Sequence, residues 1–227
     1  MVKSLQIIDE SIFNYLGMDN YAKFIALTGL CDGIRLNDGV VWVQYNDLNE
    51  ITAIVTKSRN GKNLVFESES SDKAELDFVS EKDDEARIDK KYLLKKSVSC
   101  KSPEKGIDKA DYLKIKSLNC EDKEKHNDIV AFKSLLNSLG KCEGAIISNK
   151  KEVVSGGFIT FSQKISLITD IYTNVNYRKQ GYGKGIVKNL LKLSKNENVY
   201  LVSKEHNLEF YKKCGFEIAK EIYDYKG

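Results

Sequence analysis

The stretch from Ile165 to Lys195 limits this chain more than any other part of it. An apolar β-type run, Ile165 to Thr173, enters a loop containing Arg178-Lys179-Gln180-Gly181-Tyr182-Gly183, and an amphipathic helix over Tyr182 to Lys195 leaves it. Ile186, Val187, Leu190, Leu191 and Leu193 form the inner face of that helix, and Lys184, Lys188, Lys192 and Lys195 the outer one. Glycines remove side chains so that backbone N–H groups can approach a ligand closely. A helix start adds unpaired N–H donors and the positive end of the dipole, which together suit a phosphate. From Ile171 to Asn196 there is no Asp or Glu, so an anion is expected at this end of the domain. Lys184 is the lysine expected to reach it, and the other lysines read as a solvated face.

Spacing narrows the choice of anion. A P-loop requires Gly-Lys-Ser/Thr, and here Lys184 is followed by Gly185. A dinucleotide fingerprint requires G-x-G-x-x-G, whereas Gly181, Gly183 and Gly185 give G-x-G-x-G with no suitable acidic ribose partner downstream.

The rest of the chain alternates helix and strand patterns, which predicts a mixed α/β (α+β) architecture: a mostly antiparallel central sheet flanked by helices. In the first half, Ile12, Phe13, Leu16, Tyr21, Phe24, Ile25 and Leu27 recur at helical steps up to Gly29–Gly33. Strands follow at Val40–Gln44, Ile51–Thr56 and Leu64–Glu67, then a helix from Ser71 to about Arg87 and a strand over Tyr92–Ser99. The polar segment Lys101–Lys109, with the lone proline Pro103, reads as the boundary between domains 1–105 and 106–227.

In the second half the expected order is strand Asp111–Leu118, helix Glu121–Leu139, and strands Gly144–Ser148, Val153–Phe161 and Ile165–Thr173. After the loop and its helix come strand Val199–Ser203, helix Leu208–Lys213, a turn at Gly215 and strand Phe216–Tyr225. The result is an antiparallel meander feeding a β-loop-α-β unit.

Several function classes are disfavoured. The net charge of +3 is small, and the basic helix face lacks interleaved aromatics, which argues against nucleic acid as a partner. Five scattered cysteines with no C-x-x-C pair, and only His126 and His206, argue against a disulfide framework and against a metal. No run approaches the roughly 20 apolar residues of a membrane span, and Met1–Glu10 has no apolar signal core. A cytoplasmic protein, monomer or homodimer, is expected.

The loop resembles the pyrophosphate motif of the GNAT N-acetyltransferase superfamily, Arg/Gln-x-x-Gly-x-Gly/Ala, matched by Arg178, Gly181 and Gly183. Asn207-Leu208-Glu209-Phe210-Tyr211-Lys212-Lys213-Cys214-Gly215-Phe216 resembles the superfamily's late helix, Asn…Phe-Tyr-x-x-x-Gly-Phe, in the right order. The resemblance covers domain 106–227 and implies acetyl-CoA as cosubstrate, an unidentified amine acceptor, and direct transfer of the acetyl group. The same scaffold without chemistry, an acyl-CoA-binding regulatory module, is the alternative.

Carried over, the resemblance implies that the backbone of Ile171, Tyr172 and Thr173 pairs with the pantetheine arm. Arg178, Lys179, Gln180, Gly181, Tyr182, Gly183 and Lys184 hold the pyrophosphate, and Asn207 and Tyr211 touch the cofactor. Tyr211 protonates the departing thiolate, a phenol of ordinary pKa about 10 beside a thiol near 8.5. Where several relatives carry a glutamate base, this chain has Leu167. Asp170 lies nearby as a candidate base, and strand alternation places it on the face opposite Leu167. His206 reads as a surface or capping group and Cys214 as packing. The first half, which lacks the motif, resembles a degenerate copy of the same fold, with Trp42, Tyr45 and Phe66 as candidate cleft residues.

Overall fold

A computed structural model describes residues 2–30, 41–57, 63–67, 87–99 and 133–225. The chain packs as two compact units, Met1–Lys91 with Lys220–Gly227, and Tyr92–Ala219. The boundary expected at 105/106, the strand Asp111–Leu118 and most of the expected helices Ser71–Arg87 and Glu121–Leu139 lie outside the described residues. Arg87 itself opens a strand, which therefore starts before the expected Tyr92.

The first unit contains strand β1 (Val2–Ser4), helix α1 (Glu10–Thr28) and strands β2 (Val41–Tyr45), β3 (Ile51–Lys57) and β4 (Asn63–Glu67). The strands form one antiparallel sheet in the order β1-β2-β3-β4. Asp9 caps α1 by accepting from the Ser11 N–H at 2.9 Å, and Gly29 ends it at φ 71, where a residue without Cβ is favoured. Ile12, Leu16, Tyr21, Phe24 and Ile25 are buried, as the periodicity requires. Tyr15 donates to the Thr52 carbonyl and ties the helix to β3. Trp42 packs on Ala53 and Val55 within this unit.

The second unit is built on a six-stranded sheet in the order β10-β5-β9-β8-β7-β6, of which it holds β5 from Tyr92 and β10 up to Ala219. Its strands are β5 (Arg87–Ser97), β6 (Cys142–Asn149), β7 (Glu152–Phe161), β8 (Ser166–Thr173), β9 (Asn198–Lys204) and β10 (Glu217–Tyr225). β6, β7 and β8 form the antiparallel meander, and β8 pairs with β9 in parallel after the crossover helix α3 (Tyr182–Lys192). A two-residue turn at Lys150 and Lys151 (φ 47 and 75) closes the first hairpin, the left-handed geometry that suits strand twist.

α3 lays Ile186, Val187 and Leu190 on Ala145, Ile159 and Ile168, the centre of a core that also includes Leu94, Leu201 and Phe216. The helical residues 133–138, here α2, cover the opposite face, because Lys133 reaches Thr160 and Thr169, which alternate with the α3-facing Ile159 and Ile168. α3 ends at Lys192, three residues before the expected Lys195. Leu193 closes it, and the Ser194 hydroxyl turns in to donate to the Asn196 carbonyl, with Ser166 Oγ 2.8 Å away.

Candidate active site

The site begins where two neighbouring strands part. The parallel β8–β9 ladder covers only Ser166–Ile168 against Val199–Leu201, yet β8 runs on to Thr173 and β9 to Lys204. Beyond Ile168 the facing backbone groups of β8 are not paired with β9, which leaves an edge for an extended ligand.

A bulge lies at the start of that open stretch. On β7, Gly156 faces Tyr172 and Phe158 faces Thr169, so Gly157 alone opposes both Asp170 and Ile171. Asp170 takes φ 54, a left-handed conformation that Asp tolerates better than most residues. A Cβ on Gly157 would lie 2.9 Å from Leu190 Cδ1 and 3.4 Å from Ile171 Cα, so the bulge and α3 both press on this glycine. The extra residue also corrects the expected facing of Asp170. Its carboxylate reaches Lys133 Nζ at 3.7 Å, on the side of Thr160 and Leu167 rather than the opposite one, because a bulge breaks the two-residue period.

After β8 the chain turns sharply. Asn174 accepts from the Asn176 N–H at 3.0 Å, and Arg178 donates through Nε to the Thr173 carbonyl at 3.2 Å. Lys179 (φ 62) and Gly181 (φ 90) then bend the loop into the start of α3. The first helical bond runs from the Gly185 N–H to the Gly181 carbonyl, and no side chain caps this end. The N–H groups of Tyr182, Gly183 and Lys184 are therefore the unpaired donors of the first turn. A Cβ on Gly183 would come within 3.4 Å of both Phe210 Cζ and Thr173 Oγ1. Strand end, loop and late helix thus meet at one glycine.

The expected donors and acceptors are unevenly available. The buried Ser155 hydroxyl donates to the Tyr172 carbonyl at 2.8 Å and sits 2.9 Å from Thr173 Oγ1. With Arg178 on the Thr173 carbonyl, two of the three backbone carbonyls assigned to the ligand already hold an internal bond. Glu152 was invisible to a reading of local charge. It accepts from the Tyr177 hydroxyl at 2.8 Å, which raises that phenol above its usual range, and from the Asn174 amide at 3.4 Å. Gln180 donates to the Asn176 carbonyl at 3.1 Å, a bond inside the loop rather than toward a ligand.

The late helix α4 (Leu208–Lys213) carries Tyr211. Its ring makes edge contacts with Phe210 at 5.0 Å and Phe216 at 6.2 Å. Burial, with a smaller contribution from Cys214, pushes its phenol up to about 12. Burial also raises the Cys214 thiol, while Lys184 and Lys96 pull it down. Lys184 therefore lies within electrostatic reach of the Cys214 thiol. Asn207 precedes α4 and is exposed, without capping it. His206 is exposed.

The raised Tyr211 value has a testable sign. The folded state holds this proton more tightly than the unfolded chain, so the contribution to stability is intact below pH 10 and is lost as pH rises through about 12. Urea unfolding of the wild type at pH 9 and 11.5 should show a larger alkaline loss than the same pair of measurements on Tyr211→Phe. Equal losses would remove the burial of this hydroxyl from the account.

The arrangement offers an open strand edge, an uncapped helix start with basic residues, and a neutral buried phenol. Residues 141–218 match the family described as acetyltransferase (GNAT) domain. No curated protein matches the chain in sequence. Among solved structures, a GNAT-family acetyltransferase from Colwellia psychrerythraea shares 10% identity with a TM-score of 0.56 over 100% of both chains. A GCN5-related N-acetyltransferase from Sphaerobacter thermophilus shares 10% identity with a TM-score of 0.55, over 83% of this chain and 80% of that one. These likenesses are of fold. The chain spans 61% of a GNAT-family protein from Novosphingobium aromaticivorans at 11% identity, covering 59% of its own length with a TM-score of 0.42.

Proposed function

We propose, from the match of residues 141–218 to the GNAT acetyltransferase domain family, that this chain moves an acetyl group from acetyl-CoA to a primary amine of a small molecule, peptide or protein by direct attack. The observation that carries this reading is the meeting of Thr173, Gly183 and Phe210, which brings strand edge, anion loop and Tyr211 helix to one place. In this reading the open edge of Ile171, Tyr172 and Thr173 receives the pantetheine amides. The loop from Arg178 to Gly183, with Lys184, receives the pyrophosphate, and Asn207 lies at the cofactor's other flank.

Asp170 is the base candidate, exposed beside the open edge. As the amine nitrogen bonds to the thioester carbon and the C–S bond breaks, the nitrogen gives its proton to Asp170 and the sulfur departs as a thiolate that takes a proton from water. A phenol near 12 is a weak proton donor to a thiolate near 8.5, so Tyr211 acts mainly by donating a hydrogen bond to the developing sulfur anion. Tyr211→Phe is therefore expected to lower turnover about tenfold, less than a full general acid supplies, with acetyl-CoA affinity nearly unchanged.

Calorimetry with acetyl-CoA and with free CoA tests the donor, and thiol release over an amine panel tests the chemistry. Absence of binding to either would sink the reading. Binding without turnover on any amine would leave the regulatory module, a role that the apolar Leu167 in place of a glutamate favours. The free thiols of Cys142 and Cys214 suit a reducing cytoplasm. The reading includes no metal, no nucleic acid and no membrane partner, and a monomer or homodimer. The first unit, an antiparallel sheet with one helix and without the loop motif, is read as a degenerate copy of the catalytic half.

A further inference from the structure

Lys133, at the first described position of α2, is a charged residue only 4% exposed, and lysine is rarely buried without a partner. Its ammonium donates to Thr169 Oγ1 at 2.8 Å and to Thr160 Oγ1 at 3.3 Å, with the Phe158 ring centre 5.9 Å away. The hydroxyls satisfy N–H groups and leave the charge unbalanced. Among the described residues, the carboxylate within ion-pair distance is that of Asp170, with Oδ2 3.7 Å from Nζ.

Asp170 is itself unusual: a non-glycine residue at φ 54, in a bulge two positions past Ile168, the last residue of β8 paired to β9. A strained conformation of this kind persists only where its surroundings impose it. Here an internal ammonium, fixed by side chains from β7 and β8, pulls the carboxylate from one side. The Asp170 side chain is still 48% exposed, so the remainder of the carboxylate faces outward beside the parting of the strands.

We propose that Lys133 is a positioning residue for acceptor recognition: it pins Asp170 in the bulge, and the outer face of that carboxylate receives an acceptor bearing a positively charged amine. The proposal rests on the acetyl-transfer reading and adds the acceptor's chemical class. One carboxylate is then shared between a fixed internal cation and a mobile external one. Uncharged amines gain nothing from this arrangement and are selected against.

The test compares an aliphatic diamine, cationic at pH 7, with an aromatic amine that is neutral there. Kinetics are measured for the wild type, Lys133→Met, Lys133→Arg and Thr169→Val, together with deuterium uptake of residues 169–172 in each. Lys133→Met should raise the diamine KM about tenfold, the scale of one lost charged contact, with the aromatic-amine KM changing little, while any fall in kcat, which reports Asp170 as base, is common to both amines. Lys133→Arg should restore part of the loss. Uptake at the bulge should rise in Lys133→Met, and Thr169→Val should give a smaller change in the same direction, which keeps the test open if the methionine variant does not fold. An unchanged diamine KM in variants that fold, or an equal rise in KM for both amines, overturns the proposal while leaving acetyl transfer intact. A wild type that releases thiol with no amine overturns the acetyl-transfer reading and this acceptor class together.

Discussion

Replacing Gly181 with valine is expected to lower acetyl-CoA affinity about a hundredfold, the equivalent of one to two lost charge-assisted hydrogen bonds. Gly181 sits at φ 90, at the cap position of α3, and nothing stands within 4 Å of where its Cβ would be. The penalty is therefore one of backbone and not of crowding: a β-branched residue is a genuine outlier at this φ. The loop would have to relax, and the N–H groups of Tyr182, Gly183 and Lys184 would no longer converge. The substitution separates ligand binding from folding because Gly181 is exposed and outside the core. Calorimetry with acetyl-CoA, alongside circular dichroism melting, checks it. A variant that melts near the wild type and binds equally well would show that the first turn of α3 is not where the pyrophosphate is held.

Leu190→Ala should produce the largest loss of stability. Leu190 is 0% exposed and presses on Gly157, where an added Cβ would lie 2.9 Å from its Cδ1. Truncating a fully buried leucine costs about 2–5 kcal/mol through lost burial and the residual cavity. For a unit of this size the melting temperature should fall by roughly 5–15 °C. Lys188→Ala, on the exposed face of the same helix, should change stability by less than about 0.5 kcal/mol. A melting temperature for Leu190→Ala within the error of the wild type would contradict the packing of α3 on β7.

The contrast between these two helix faces is also what made this region legible in advance. α3 announces itself because its apolar residues recur at helical steps and its glycines stand at the start. The three strands directly before it, β6 to β8, match the predicted ranges to within one or two residues. The fold and the glycine loop before α3 were thus readable from local pattern. The surroundings of Lys133 and Asp170 were not. In Lys133-Ser134-Leu135-Leu136 the lysine reads as a solvated position on an amphipathic helix, and only the tertiary fold reveals Thr160 and Thr169 as its partners. Asp170 was found but assigned to the wrong face, since a period-two reading has no means of counting a bulge. The one available signal was the run Ser155-Gly156-Gly157 inside an otherwise apolar strand, because interior glycines in strands often mark such a break. The extension of β5 back to Arg87 was hidden too, since Arg-Ile-Asp-Lys-Lys carries too little apolar content to suggest a strand.

The short ladder between β8 and β9 has a mechanical consequence. Two adjacent strands joined over so few residues behave as a seam, fastened at one end and free at the other. A sheet with such a seam has a stiffness that depends on what fills it. A ligand that lays amides along the free edge serves as a borrowed strand, so occupancy would tighten the protein on both sides of the seam at once. Molecules too short to bridge it would gain contacts without stiffening anything. The length of the ligand, and not only its charge, then becomes something the sheet can sense.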